Sequence, residues 1–160
     1  MWESLRPFFD WCFSTYVGTA IRESTWAFAY IEVFHLFGLT VLLGSAFIVS
    51  LRMAGLTLRT QSVKEVAHET DPFMMASLGL VLVSGILLFL SEALKCFNSP
   101  PFEAKMIFLF LAILFQFTMV RKLSHADEGR YSSILNKAVA GIAVLLWLGV
   151  GVAGRAIGFF

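Results

Sequence analysis

The sequence is poor in charged residues and rich in apolar ones. Only 14% of its 160 residues are charged, whereas 58% are hydrophobic. Soluble domains average roughly 25% charged and about 45–50% apolar residues. The formal net charge of +1 and the lack of a dense basic cluster argue against a nucleic-acid partner. This composition indicates an integral membrane protein surrounded by a lipid bilayer.

Sequence motifs of common enzymes are also missing. The chain has two cysteines and three histidines, without an H-E-x-x-H pair, a paired C-x-x-C, a glycine-rich phosphate loop or a G-x-S-x-G turn. No hydrolase or transferase motif is present. The sequence leaves open whether the protein is an enzyme, and redox chemistry in a membrane is the candidate activity.

The apolar residues gather into four stretches, each long enough to cross a bilayer, which takes about 20 residues. We expect spans at residues 24–51, 72–94, 103–121 and 138–158, with Pro72 in the first turn of the second span. A span in lipid must satisfy its own backbone hydrogen bonds, so all four are predicted to be helices. Short links favour antiparallel neighbours. The predicted fold is all-α: a single transmembrane domain over residues 1–160, folded as an up-down four-helix bundle.

Two segments outside the four spans are predicted to lie at the membrane surface. Residues 7–21 are aromatic but interrupted by polar residues, and they are too short to span. Aromatic rings favour the headgroup level, which predicts an N-terminal interfacial helix. The link over residues 52–71 is a second candidate for such a helix.

Orientation depends on lysine and arginine, which are slightly more frequent in the links after the first and third spans. The positive-inside rule then predicts both termini outside, in the bacterial inner (cytoplasmic) membrane. Cys12 and Cys96 would share the oxidising side, where a disulfide and two free thiols are equally compatible with the sequence.

An ionisable pair lies inside the first span. In "YIEVFHLFG", residues 30–38, Glu32 and His35 are three residues apart and are expected on one helix face. An ionised group in the apolar layer costs roughly 3 kcal/mol or more, so such groups usually face inward and pair. Charged residues of the other spans fall in the same outer half. We therefore predict one polar site, made of Glu32, His35, Glu92, Lys105 and Arg155.

Three interpretations of this polar site stay open. The charges could form a salt-bridge network that only fixes helix order, as in an accessory subunit of a larger membrane complex. In the preferred interpretation, His35 is the metal ligand of a b-type haem in an electron-transfer protein, with a separate redox partner. Glu32 would orient the ring, and three residues would handle the propionate charges: Lys105, Arg155 and Glu92. In the third interpretation, Glu32 and His35 titrate in a proton-coupled transport or binding protein.

Several glycines bear on the haem interpretation. A porphyrin would find room beside four of them, Gly38, Gly44, Gly79 and Gly85. The other histidines, His68 and His125, lie at the opposite membrane edge. A haem on His35 is therefore held by one histidine per chain or bridges two protomers. Gly154 and Gly158 form a small-xxx-small pair, which predicts a homo-oligomer.

Four motifs resemble those of a family of bacterial four-helix membrane proteins described only as a domain of unknown function. They are "IEVFHLFGLTVLLGSAFIVSLRMAGL", "SGILLFLSEA", "NSPPFEAKM" and "LWLGVGVAGRAIGFF", and they cover all four spans. The resemblance implies that the five residues of the predicted polar site belong together. Family members often carry an acid after the first helix, where this chain has Ser50. A looser likeness to cytochrome b561-type bundles and copper-resistance membrane proteins is one of topology.

Overall fold

The structure is a computed structural model, and it describes residues 3–127 and 130–159. These residues are 85% helical and form no strand. A 3₁₀ turn, Glu3–Leu5, is followed by two short helices, α1 (Arg6–Phe13) and α2 (Tyr16–Glu23). They cover the segment predicted to be helical at residues 7–21. At Gly18, an added Cβ would lie 2.5 Å from the carbonyl oxygen of Leu90. Glycine therefore lets α2 approach the backbone of the second long helix.

Four longer helical stretches follow. They are α3 (Ala27–Met53), α4 (Val63–Ser91), α6 (Pro100–Phe115) and α8 (Ser133–Ala156), with the short α5 (Ala93–Phe97) between α4 and α6. A π-helical segment, Gln116–Val120, and α7 (Arg121–Ser124) continue α6 without a break. A 3₁₀ turn, Ile157–Phe159, extends α8. All four stretches are long and apolar enough to cross a membrane, which indicates a multi-pass membrane protein.

The start of α4 differs from its prediction. The helix begins at Val63, not at residue 72, so Pro72 lies inside it and not in its first turn. Ser62 starts the helix: its hydroxyl accepts a hydrogen bond from the Glu65 N–H at 3.1 Å, and its own N–H donates to the Glu65 carboxylate at 3.2 Å. This capping box satisfies N–H groups that the first turn leaves free. The segment predicted as a second surface helix is therefore partly the first turns of α4.

The other bounds shift by a few residues. The third span begins at Pro100 and the fourth at Ser133, earlier than the predicted residues 103 and 138. Pro100 suits a first helical position because its missing N–H has no helical partner there. The side chain of Ser132 caps α8 by accepting from the Leu135 N–H at 3.2 Å. Both starts are set by polar or proline residues that lie outside the apolar runs.

Small residues occupy much of the space between the helices, and large apolar side chains cover much of the outer surface. α3 packs mainly on α4, α6 mainly on α8, and α3 also contacts α8. The interior contains residues such as Ala46, Ala112 and Ala143, with Trp147 the largest buried side chain. Large apolar side chains cover much of the outer surface, among them Phe34, Phe37, Phe110, Leu145 and Val152. A helix that is apolar on all sides suits a lipid environment.

Candidate functional site

His35 is buried between α3 and α4, with 8% of its surface exposed. Its Nδ1 lies 2.9 Å from the hydroxyl oxygen of Ser84. That hydroxyl donates its own proton to the Leu80 carbonyl, so it accepts from Nδ1–H. In the neutral ring Nε2 is then the unprotonated nitrogen, and the Val81 backbone is a further hydrogen-bond partner of the imidazole. No side chain of the described residues hydrogen-bonds to Nε2.

Gly85 leaves room for the His35 imidazole against α4. A Cβ on Gly85 would lie 3.2 Å from Cε1 of the His35 ring, which is tighter than an ordinary contact. The ring orientation is therefore set by Ser84 and Gly85 together. The sequence interpretation assigned that orienting role to Glu32, whereas in the structure Ser84 contacts the ring.

Lys105 extends from the start of α6 to the last turns of α8. Its Cε, Cδ and Nζ lie 3.5, 3.6 and 3.6 Å from the position that a Cβ on Gly154 would take. The ammonium group interacts electrostatically with the His35 imidazole and with the Cys96 thiol. It has no ion pair among the described residues. This cation therefore has no carboxylate within ion-pair distance among the described residues, although Glu92 also acts on the Cys96 thiol.

The other three residues of the predicted site lie apart from this pair. Glu32 is exposed on α3, and Arg155 is exposed near the end of α8, where its guanidinium carbon lies 5.0 Å from the centre of the Phe159 ring. Glu92 is half-buried at the end of α4. None of the three forms an ion pair within the described parts of the chain. Of the five residues, His35 and Lys105 interact electrostatically with each other, and Lys105 and Glu92 both act on the Cys96 thiol.

The four glycines expected beside a porphyrin differ in their surroundings. A Cβ on Gly38 would meet side-chain atoms of Val81 and Leu80 at 3.0 and 3.1 Å, so this glycine serves the contact between α3 and α4. Gly85 lies against the imidazole, whereas Gly44 and Gly79 have no neighbouring atom within 4 Å of the same position. Two of these glycines therefore serve helix packing and two face open space.

Gln116 is a buried polar residue that sequence reasoning missed. It begins the π-helical segment and is 5% exposed. Its amide oxygen accepts from Trp147 Nε1 at 3.3 Å, and its amide nitrogen donates to the Met74 sulfur at 3.4 Å. A cavity of about 10 Å³ adjoins Gln116 and Asp71, close to the volume that one water needs. The signal in the sequence was a single amide within the apolar run "LFLAILFQF".

A second charged cluster lies at the opposite end of the long helices. His125 Nε2 is 3.1 Å from a carboxylate oxygen of Asp71, and Arg121 is 3.9 Å from the same oxygen. His125 Nδ1 lies 3.2 Å from the hydroxyl oxygen of Ser124. The Ser124 side chain is buried, and its hydroxyl donates a hydrogen bond to the Arg121 carbonyl. His68, by contrast, is exposed.

Both cysteines belong to one apolar cluster with Phe9 and Ala93. They are free thiols, the second of the two alternatives that the sequence left open. Burial raises the pKa of Cys12, and it raises the pKa of Cys96 to about 11. Both thiols are therefore neutral at pH 7.

These features define a multi-pass helical membrane protein with a buried imidazole and a half-buried ammonium group that has no ion pair among the described residues. The chain belongs to the family of unknown function DUF6644, whose profile matches residues 8–160. The predicted resemblance to a family of unknown function is thereby confirmed. Searches of curated proteins and of solved structures each found no match.

Proposed function

We propose that this protein is a proton-coupled binding or transport protein of the bacterial inner membrane, in which His35 and Lys105 form the proton-handling site. The fold we propose is an up-down four-helix bundle with both termini outside. The contacts between α3 and α4 support it. His35 contacts Ser84, whereas Gly38, further along α3, contacts Leu80 and Val81. Residue numbers therefore rise along one helix as they fall along the other.

The observation that carries the proposal is a Lys105 ammonium without an ion pair among the described residues, which acts electrostatically on the buried His35 imidazole. A charged side chain in the apolar layer is costly and normally finds a partner of opposite charge. The groups that Lys105 acts on, the His35 ring and the Cys96 thiol, supply none. Two protonated groups at this site would repel each other, so the pair favours a single proton shared between two bases. Such a pair can take up and release a proton readily.

Buried polar groups continue from this pair toward the other end of the bundle. Ser77 lies seven residues before Ser84, about 10 Å along α4, and both are buried. Met74, one helical turn further, contacts the Gln116 amide. Asp71 follows at the end of the row, beside the small cavity. This row supports a proton route between the two membrane faces.

Proton flux into liposomes tests the proposal. The purified protein is reconstituted with a pH-sensitive dye trapped inside, and an external pH step is imposed. We expect His35→Gln and Lys105→Met each to lower the initial rate of internal acidification roughly tenfold or more, as for loss of a proton-transfer group. Lys95→Met is the matched control, because Lys95 is an exposed lysine at the same end.

Two results would overturn the proposal. One is a wild-type rate equal to that of protein-free liposomes. The other is a set of correctly folded His35 and Lys105 variants with the wild-type rate. The second result would favour an accessory subunit that contributes packing alone.

Haem ligation by His35 stays a second candidate, because one observation favours it. Metal-binding histidines usually donate their second ring nitrogen to a neighbouring group, and His35 Nδ1 donates to Ser84 while Nε2 has no side-chain partner. Such a haem would be held by one histidine per chain or would bridge two protomers. The test is an absorption spectrum of protein expressed with haem supply. A Soret band that His35→Ala removes supports this candidate, and its absence in the wild type excludes it.

A further inference from the structure

A second cavity lies at the junction of α1, α5 and α6, and Cys96, on which Lys105 acts, is one of its lining residues. Its volume is about 130 Å³, close to the roughly 150 Å³ of an apolar protein cavity that holds benzene. Three phenylalanines from three different helices line it, Phe9, Phe97 and Phe102. The cavity can therefore take a small, rounded organic group.

The aromatic walls are held in fixed positions by neighbouring rings. Phe9 and Phe97 have centroids 5.2 Å apart at an angle of 63°, and Phe89 stacks on Phe102 at 5.6 Å and 10°. Phe89 also meets Phe9 edge to face at 5.4 Å. Rings fixed in this way present a π surface at little entropic cost on binding.

The polar side chains of the cavity are those of Asn98, Ser99 and Glu103. The Asn98 amide nitrogen already donates to the Leu94 carbonyl at 3.0 Å. The Ser99 hydroxyl is buried, with the residue 4% exposed, and it has no hydrogen-bond partner among the described residues, so it can accept or donate. Glu103, exposed in the first turn of α6, brings a carboxylate without an ion pair in the described chain. Pro100 and Pro101 have no N–H to offer, and the Phe102 N–H already donates to the Ser99 carbonyl at 3.0 Å. Because its pKa is raised to about 11, the Cys96 thiol adds no negative charge of its own.

This combination matches the recognition of an alkylated ammonium ion. Aromatic faces attract a cation through their quadrupole, and quaternary ammonium groups are the ligands that aromatic cages commonly bind. We propose that the cavity between α1, α5 and α6 binds a quaternary ammonium group, with Glu103 as its counter-charge and the three phenylalanines as its cage. Arg6, whose guanidinium carbon lies 5.8 Å from the centre of the Phe97 ring, is positioned to meet an anionic group on the same ligand.

Two sources supply this chemistry, a lipid headgroup and a free solute. The cavity lies beside the end of α4 and the start of α6, where two spans reach their boundary, so a phosphocholine headgroup has access from the membrane surface. A soluble ligand such as choline presents the same ammonium group without the phosphate. Arg6 distinguishes them, because it favours the zwitterion over the simple cation.

Ligand binding to the full chain in a maltoside detergent tests the proposal. Saturation-transfer NMR follows the methyl protons of tetramethylammonium, of phosphocholine and of 3,3-dimethylbutanol, the neutral isostere of choline. We expect both cations to bind saturably and the neutral isostere to bind at least several-fold more weakly. Glu103→Gln and Phe102→Leu should each weaken cation binding roughly threefold to thirtyfold. Glu23→Gln and Phe110→Leu are the controls, since both residues are exposed outside the cavity.

Each outcome bears on the proposal. Binding of the neutral isostere as tight as that of tetramethylammonium would overturn it, as would variants that bind like their controls or a wild type that binds neither cation. Phe102→Tyr keeps the ring face and should keep binding, which covers the case in which Phe102→Leu fails to fold.

The same experiment identifies the source of the ligand. The source is the headgroup if phosphocholine binds more tightly than tetramethylammonium and Arg6→Gln reduces that binding. Equal binding of phosphocholine and tetramethylammonium identifies a simple cation as the ligand. The result is independent of the proton-flux experiment.

Discussion

The two ends of the long helices treat their charges differently. At the end where α4 begins and α7 closes, opposite charges meet: Asp71 contacts His125 and Arg121, and Lys64 lies 3.0 Å from Asp127. At the other end, Lys105 acts electrostatically on His35, and glutamates of that end, such as Glu32, Glu92 and Glu103, pair with neither within the described residues.

The difference separates structural from functional charge. A paired charge at a membrane edge helps to fix helix order, and removing one partner loses stability. An unpaired, half-buried cation in an apolar layer reduces stability by itself, so its presence is more readily explained by function than by folding. The comparison therefore assigns the working site to the His35–Lys105 end. Variants at the two ends should change stability in opposite directions.

The largest effect is expected at Lys105. Lys105→Met keeps the aliphatic contacts with Gly154 and removes the unpaired charge, so the free energy of unfolding should rise by about 3 kcal/mol at most. Denaturant unfolding in detergent, followed by circular dichroism, measures the change. Lys95→Met, at an exposed lysine of the same end, should stay within about 0.5 kcal/mol of the wild type. A clear loss of stability in Lys105→Met would mean that Lys105 has a stabilising partner, and the contrast between the ends would fail.

The next effect concerns the buried thiol near Lys105. The pKa of Cys96 is raised from 9.0 to about 11 in the folded protein, so the folded state keeps a proton that the unfolded state loses near pH 9. This contribution is fully present below pH 9 and is lost as the pH rises toward 11. The loss amounts to about 2 to 3 kcal/mol for a shift of this size.

Cys96→Ala isolates this contribution from the other groups that titrate in alkali. The stability of the wild type should fall more steeply between pH 9 and pH 11 than that of the variant, as measured by unfolding at fixed ionic strength. Parallel pH profiles for the two proteins would contradict the prediction.

The helices were predictable because their cause is local. Runs of about 20 apolar residues specify spans by length alone, and all four were found, together with the helical N-terminal segment. The start of α4 was missed although "SVKE", residues 62–65, is a readable capping box. The charged residues that follow it had been assigned to a link, and only contacts with the rest of the fold make them part of one helix.

The polar site was only half predictable because its cause is tertiary. Residues three apart are offset by about 60° around a helix, and that offset separates buried His35 from exposed Glu32 once α4 covers one face. Ser84 and Gly85 lie 49 and 50 positions further along the chain, and nothing local to His35 points to them. Gln116 stood out only as an amide among apolar residues. Its role follows from its contacts with Trp147 and Met74.

A smaller effect of opposite sign is expected at the paired end. Asp71→Asn removes the carboxylate that contacts His125 and Arg121, and the free energy of unfolding should fall by about 1 kcal/mol, since the pair is partly exposed. Glu69→Gln is the matched control, because Glu69 is an exposed acid on the same helix and should leave stability unchanged. An unaltered Asp71→Asn midpoint would show that the paired charges add nothing, and the contrast would then depend on Lys105 alone.

The smallest effect lies at the surface of the same end. A hydrogen bond and the charge of Lys64, at 3.0 Å, hold the pKa of Asp127 below its usual value of 3.8. The contribution of this pair is present above pH 3.8 and is lost as the pH falls through the lower pKa of the folded state. Because both side chains are exposed, the effect should appear in the titration more clearly than in stability. NMR titration of the carboxyl group should give a value that Lys64→Met raises and that Lys122→Met leaves unchanged. A wild-type Asp127 that titrates at its ordinary pKa would show that this surface pair does not form in solution.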